Sequence, residues 1–148
     1  MVLSFVALVA LANGLLAGVG SWFGYPDLSF QQIVGWLFAP VMFMLNVPWS
    51  EAQAAGGLFG TKIVLNEFVA FSQLGPMKQT FSATTVAVVT FALCGFANFS
   101  SIAIQVGGIG KIAPSRRQDL AKLGVKALIC GTLANYLSAT IAGILLWL

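Results

Sequence analysis

Glu67 is the residue whose type and surroundings point most directly to chemistry, because it lies in the largely apolar segment KIVLNEFVAF. A carboxylate within a bilayer costs about 2.5–3.5 kcal/mol on insertion scales, so a ligand or a partner must offset that cost. Lys62 is the nearest candidate partner. Five residues turn a helix by about 140°, so the two side chains share a face only if the backbone bends between them. A substrate or ion site and a structural pair both remain open interpretations.

A second polar group follows in FALCGFANFSSIAIQVGGIG, residues 91–110, where Asn98, Ser101 and Gln105 recur at intervals of three and four. These intervals place the three side chains on one face of a helix. Such a face serves either to bind a ligand or to hydrogen-bond a neighbouring transmembrane helix, and the spacing is compatible with both. Phe96, next to this group, is typical of packing but is also a platform for a flat ligand.

The glycines around this segment predict an interruption of the helix near Asn98. Gly95 precedes the polar group and a GGIG sequence follows it. A discontinuous membrane helix exposes unpaired amides and carbonyls, and secondary transporters place substrate sites at such breaks. Close packing of helices explains the same glycines equally well, whereas a phosphate-binding loop is excluded because no Lys-Ser or Lys-Thr follows them.

The composition identifies the solvent of this protein as the lipid bilayer. Of 148 residues, 59% are hydrophobic and 7% are charged, against about 25% charged residues in soluble domains. A net charge of +3 is too sparse for nucleic-acid binding. With no His and two apolar-flanked cysteines, Cys94 and Cys130, the sequence supports neither a disulfide framework nor a Cys/His metal site. No enzymatic motif is present.

Charge-free intervals predict three membrane spans within residues 1–26, 79–110 and 127–148, each reaching the roughly 20 residues that a span requires. Residues 28–50 contain two prolines and have tryptophans within or beside them, which indicates a pair of interfacial helices. Capping-box patterns at Ser29 and Ser50 predict that helices begin at these two points.

Five of the seven basic residues lie between Lys111 and Lys126, so this connection should face the cytoplasm. If segment 51–77 crossed the membrane completely, the connection 21–50 would also be cytoplasmic although it contains no Lys or Arg. A re-entrant hairpin leaves that connection outside and is therefore favoured. Non-helical backbone at the hairpin tip must be buried in protein or face a water-filled cavity.

Four segments together resemble the C-terminal part of the concentrative nucleoside transporter family: GTKIVLNEFVAFSQL, ALCGFANFSSIAIQVGGIG, APSRRQDLAKLGVKAL and GTLANYLSATIAG. The resemblance implies an ion-coupled symporter, driven by Na⁺ or H⁺, that forms homotrimers with a scaffold and an elevator-like transport domain. It implies an all-α integral membrane fold of transmembrane helices with a re-entrant hairpin and a broken helix, the second half of an inverted-repeat transporter. We expect the inner or plasma membrane as its location.

The same resemblance implies the organisation of the chain. The expected segments are a scaffold helix 1–24, interfacial helices 25–50 and a transporter domain 51–148, which divides into a hairpin 51–77, a broken helix 83–108, a basic loop 109–126 and a last transmembrane helix 123–148.

For the site, the resemblance implies that Glu67 accepts hydrogen bonds from ribose hydroxyls, that Asn98 and Ser101 hold the ribose, and that Phe96 packs near the nucleoside. A vicinal diol offers two donors, and a carboxylate is an acceptor able to take both. The first repeat, with the hairpin facing the nucleobase and the ligands of the coupling cation, is expected outside these 148 residues. We expect no other cofactor.

Two other functions are compatible with the polar residues alone. A small assembly or regulatory subunit would use Asn98 and Ser101 to bind partner helices. A passive pore would arrange one Glu67 per chain as a selectivity ring in an oligomer.

Overall fold

The computed structural model describes residues 2–26 and 28–146, and every regular element in that part of the chain is helical. This confirms the predicted all-α class. A 3₁₀ turn over Pro114–Arg116 leads directly into the last helix. The seven α-helices are α1 Val2–Trp22, α2 Phe30–Met44, α3 Trp49–Val64, α4 Glu67–Met77, α5 Ala83–Leu93, α6 Phe99–Ile112 and α7 Arg117–Leu145.

The two predicted capping boxes have different outcomes. At Ser29 the prediction is confirmed, because the Gln32 amide donates to the Ser29 hydroxyl at 3.3 Å and the Gln32 side chain accepts from the Ser29 amide at 3.4 Å. At Ser50 it is wrong, because α3 begins one residue earlier, directly after Pro48, and has no side-chain cap. Proline has no N–H group, so at the N-cap it leaves one fewer amide to satisfy at the start of the helix.

The expected pair of interfacial helices within residues 25–50 is a single helix, α2. The second helix of that pair is the start of α3, which meets α2 at a bend of 119°. Glycines allow the two helices to approach closely: a Cβ atom added to Gly56 would lie 2.7 Å from the carbonyl oxygen of Gly35. Helix α2 is therefore packed tightly onto α3.

One continuous helix in the described part of the chain, Pro114–Leu145, is long and apolar enough to cross a membrane. It begins before the predicted residue 123, and the predicted basic loop 109–126 is wrong, because α6 continues through Ile112 and α7 begins at Arg117. Arg and Lys favour helices, and their exposed side chains remain outside the core. The Arg116 guanidinium contacts the Asp119 carboxylate at 2.8 Å at this turn.

Helix α3 lies at the centre of the fold and packs against α2, α4 and α5. The fully buried Phe59 of this helix has its ring 5.3 Å from that of Phe38 in α2 and 4.9 Å from that of Tyr136 in α7. In a bilayer the hydrophobic effect does not drive helices together, so van der Waals packing of these rings is what stabilises the contact. Helix α3 therefore holds both the turn that leads into α4 and the adjacent α5 in place.

Candidate functional site

Glu67 is the first residue of α4, immediately after the helix break at Leu65 and Asn66. Asn66 has an extended backbone, and its side-chain oxygen accepts a hydrogen bond from the Val69 amide at 3.0 Å. This Asn cap ends the turn and starts a new helix at the Glu. The carboxylate lies partly buried at the N-terminal end of α4, where the helix dipole favours negative charge by roughly 0.3–1 kcal/mol.

The predicted interruption near Asn98 is confirmed. Helix α5 ends at Leu93, residues 94–98 are non-helical, and α6 begins at Phe99. Asn98 caps α6 with an extended backbone, and its side-chain oxygen accepts a hydrogen bond from the Ser101 amide at 2.7 Å. Two helices of 11 and 14 residues thus flank the break, and the second ends at Ile112, beyond the expected residue 108.

The two helix starts meet at a hydrogen bond between the two predicted site residues. The side-chain nitrogen of Asn98, a residue with 1% of its surface exposed, donates to a carboxylate oxygen of Glu67 at 3.2 Å. Because the Asn98 oxygen is engaged by Ser101, the nitrogen is the group that remains for the carboxylate. An ionised carboxylate has about four acceptor positions, so Glu67 retains capacity for further donors.

A cleft of about 260 Å³ between α6 and α7 adjoins this pair. Asn98, Ser101, Gln105 and Phe96 all line it, so the predicted polar face and its neighbouring aromatic are brought together. Phe96 is 78% exposed, which leaves its ring available for contact. Glu67 is not part of the cleft wall and meets it through Asn98. A larger cavity of about 500 Å³ between α2, α3 and α4 is lined by none of the predicted site residues.

Lys62 and Glu67 are not in direct contact: no salt bridge joins them in the described part of the chain. In the described part of the chain the ion pair is that of Arg116 with Asp119. The completely buried Lys62 instead donates to the carbonyl oxygen of Ala92 at 3.4 Å. Its ammonium also lies 2.6 Å from the side-chain oxygen of Asn135, when that amide is oriented to satisfy both of its neighbours.

A second carboxylate contact was absent from the sequence predictions. The oxygens of Glu51 accept hydrogen bonds from the Ser82 backbone amide at 3.1 and 3.2 Å and from the Ser82 hydroxyl at 3.1 Å. Ser82 is the N-cap of α5. Its position directly before an apolar helix indicates the cap, but nothing in the spacing indicates a partner 31 residues away.

Comparison with known proteins identifies the family of the chain. Residues 1–143 match the family described as "Na+ dependent nucleoside transporter C-terminus". The chain is 54% identical to an uncharacterized transporter of Bacillus subtilis, covering 97% of this chain and 35% of that protein. It is 47% identical to a nucleoside permease of Helicobacter pylori, covering 100% of this chain and 37% of the permease.

Solved structures agree with the sequence relatives. The transporter CNTnw in an inward-facing substrate-bound state has a TM-score of 0.88 at 53% identity, over 95% of this chain and 35% of that one. A variant of CNTnw in an outward-facing state has a TM-score of 0.89 at 51% identity, over 99% and 36% of the two chains. The chain thus spans about a third of the length of these relatives. It belongs to the concentrative nucleoside transporter family, a family of membrane transporters, and corresponds to the C-terminal portion of its members.

Proposed function

We propose that this chain supplies the ribose-binding half of a cation-coupled nucleoside symporter that imports nucleosides by alternating access. Glu67 accepts hydrogen bonds from the ribose hydroxyls, Asn98 and Ser101 hold the ribose, and Phe96 packs against the nucleoside. The hydrogen bond between Glu67 and Asn98 is the observation that carries this proposal, because it joins the hairpin and the broken helix at one polar point.

The chemistry of this pair fits a sugar diol. Each vicinal hydroxyl brings a donor, and hydrogen bonds to a charged acceptor contribute about 1.5–3 kcal/mol. The positive ends of the α4 and α6 dipoles stabilise the carboxylate when no ligand is present. An acceptor-rich group between two helix starts therefore selects a neutral ligand that carries adjacent hydroxyls.

The membrane arrangement is proposed from the same elements. Helices α3 and α4 form a re-entrant hairpin, and its break at residues 65–66 faces the break of the α5–α6 helix. Non-helical backbone at such depth is tolerated where protein or a water-filled cavity surrounds it. The basic segment 111–126 faces the cytoplasm of a cell whose inner or plasma membrane holds the protein.

Cation coupling and a homotrimeric assembly complete the proposal. The family description names Na⁺ dependence, which supports coupling to Na⁺, with H⁺ as the alternative cation. We expect the cation and the nucleobase to bind residues from the part of the relatives that this chain does not cover.

The experiment measures uridine uptake by a chimera in which this chain replaces the matching segment of the Helicobacter pylori permease. Glu67→Gln is nearly isosteric, so a loss of uptake is not explained by a packing void. We expect uptake to fall about tenfold or more in Glu67→Gln and in Asn98→Ala. Uptake unchanged in both variants of an active chimera would refute the site.

The assembly-subunit function is less well supported, because Asn98 uses both ends of its side chain within the chain, on Ser101 and Glu67. A passive pore would conduct ions without saturable uptake of uridine. The same chimera therefore separates the alternatives: saturable uptake supports the transporter, and conductance without saturation supports the pore.

A further inference from the structure

The C-terminal end of α5 has carbonyl groups that the residues of the nucleoside site do not bind. The last carbonyl groups of a helix have no partner within the helix, and inside a membrane they must find one in the protein. The Cys94 amide donates to the carbonyls of Thr90 and Phe91 at 3.1 and 3.2 Å. The carbonyl oxygens of Ala92 and Cys94 need donors from elsewhere.

Two side chains from different helices supply these donors. The Lys62 ammonium, from the last turn of α3, donates to the Ala92 carbonyl at 3.4 Å. With its amide turned so that both neighbours are satisfied, the Asn135 side chain of α7 donates to the Cys94 carbonyl at 3.1 Å and accepts from Lys62 at 2.6 Å. Lys62, Asn135 and the end of α5 thus form one hydrogen-bonded group, and Lys62 has no exposed surface.

Gly95 makes this group sterically possible. A Cβ atom at this position would lie 2.6 Å from both the side-chain nitrogen and the side-chain oxygen of Asn135. Any other residue would therefore displace the Asn135 amide from Cys94 and Lys62. Gly95, from which the break in the helix was predicted, also leaves the space that the Asn135 side chain of α7 occupies next to the break.

Lys62 joins the same two segments that form the nucleoside site. Lys62 precedes Glu67 by five residues, across the break between α3 and α4. Cys94 precedes Asn98 by four residues, across the break between α5 and α6. Apart from the contact of Glu51 with Ser82 at the far end of α5, two bonds hold α3 and α4 to the broken helix near its break. One runs from Lys62 to the C-terminal end of α5, and the other joins Glu67 to Asn98 at the start of α6.

Carbonyl groups at the C-terminal end of a half-helix form the kind of site that binds Na⁺ in membrane transporters. Here an ammonium group already occupies that position, with carbonyl and amide oxygens as its acceptors. We propose that Lys62 is a positioning residue whose ammonium acts as a tethered cation: it fixes the break of the helix and thereby the placement of Asn98 against Glu67. This inference rests on the proposed function in so far as the geometry it fixes is that of the nucleoside site.

The first test measures the Kd of uridine for the chimera with Lys62→Met, which keeps the length of the side chain but removes the ammonium. We expect the Kd to rise about tenfold or more. Lys62→Arg retains a cation and should weaken binding less than Lys62→Met. The matched control is Lys78→Met, at an exposed position after α4, which should change the Kd by less than about twofold.

A second variant separates positioning from loss of folding. If Lys62 acts through Asn98, then Lys62→Met in an Asn98→Ala background should raise the Kd by less than about threefold more. Equal effects of Lys62→Met in both backgrounds, or a Kd within about twofold of the unmodified chimera for Lys62→Met alone, would overturn the proposal.

A measurement without nucleoside keeps this inference distinct from the proposed function. Hydrogen exchange of the 148-residue chain in lipid nanodiscs should show the Ser101 amide, which Asn98 caps, exchanging about tenfold faster in Lys62→Met, with α7 unchanged. Unchanged exchange at residues 94–101 would overturn the role of Lys62. If the unmodified chimera fails to bind uridine, the proposed function fails and this exchange result alone decides the role of Lys62.

Discussion

Two carboxylates in the α3–α4 hairpin each lie at the start of one half of the broken helix, but they are used differently. Both oxygens of Glu51 accept from Ser82 at the N-cap of α5, which donates through its amide, shared between the two oxygens, and through its hydroxyl. Within the described residues Glu67 accepts a single hydrogen bond, from Asn98 at the N-cap of α6. Both benefit from a helix dipole, so the dipole alone does not distinguish them.

The difference lies in the remaining acceptor capacity. The carboxylate of Glu51 is engaged at both oxygens by the protein, which is expected of a group that fastens α3 to α5. Glu67 receives a single bond, although a carboxylate in an apolar setting requires compensation. The contrast supports the proposal that Glu67, unlike Glu51, has acceptor positions left for the donors of a ligand.

The largest effect is expected when Glu67 and Glu51 are each replaced by Gln. In the chimera, Glu67→Gln should raise the Kd of uridine about tenfold or more while changing thermal stability little. Glu51→Gln should leave the Kd within about twofold and lower stability by roughly 0.3–1 kcal/mol, since the interaction of the charge with the α5 dipole is lost. Binding and thermal unfolding of the two purified variants check both expectations. Equal loss of binding in both would abolish the contrast.

A smaller effect is expected from Asn98→Asp, because aspartate still caps α6 but presents an acceptor to Glu67 in place of a donor. Like charges at that distance disfavour each other, so the Glu67 carboxylate should be displaced and the Kd of uridine should rise about tenfold. Titration of uridine into the purified variant measures it. An unchanged Kd would show that the Glu67–Asn98 bond does not shape the site.

The smallest effect is expected at the other cap of the broken helix. Ser82→Ala removes the N-cap of α5 together with a donor to Glu51, which should destabilise the protein by about 1 kcal/mol. Because Ser82 lies at the far end of α5 from the break, the Kd of uridine should stay within about twofold. A chemical or thermal denaturation series with parallel binding data checks this. A large rise in Kd would mean that the two ends of α5 are not independent.

The sequence predicted the local features of the site better than its long-range contacts. The break near Asn98 follows from Gly95 and from the capping preference of Asn, both of which act within a few residues. The expectation that Glu67 and Asn98 serve one site came from a resemblance to a family, and their hydrogen bond was not predicted, since nothing in the spacing joins residues 31 positions apart. The acceptors of Lys62 were missed because Asn135 lies 73 positions away in another helix.

The errors concern charge and helix starts. A cluster of basic residues suggested a loop at 109–126, but exposed Arg and Lys side chains are compatible with a helix, and α7 begins at Arg117. The helix start predicted at Ser50 is wrong because α3 begins at Trp49, directly after Pro48. In both cases polar side chains were expected to mark the end or the start of a helix, but the backbone is helical there.

The most direct test of the central claim is a double-mutant cycle between the Glu67 carboxylate and the ribose hydroxyls. It measures the Kd of uridine and of 2′,3′-dideoxyuridine for the chimera with Glu67 and with Glu67→Gln. If Glu67 binds the hydroxyls, removing them should raise the Kd about tenfold or more with Glu67 and less than about threefold with Glu67→Gln. The same ratio in both proteins would contradict the account.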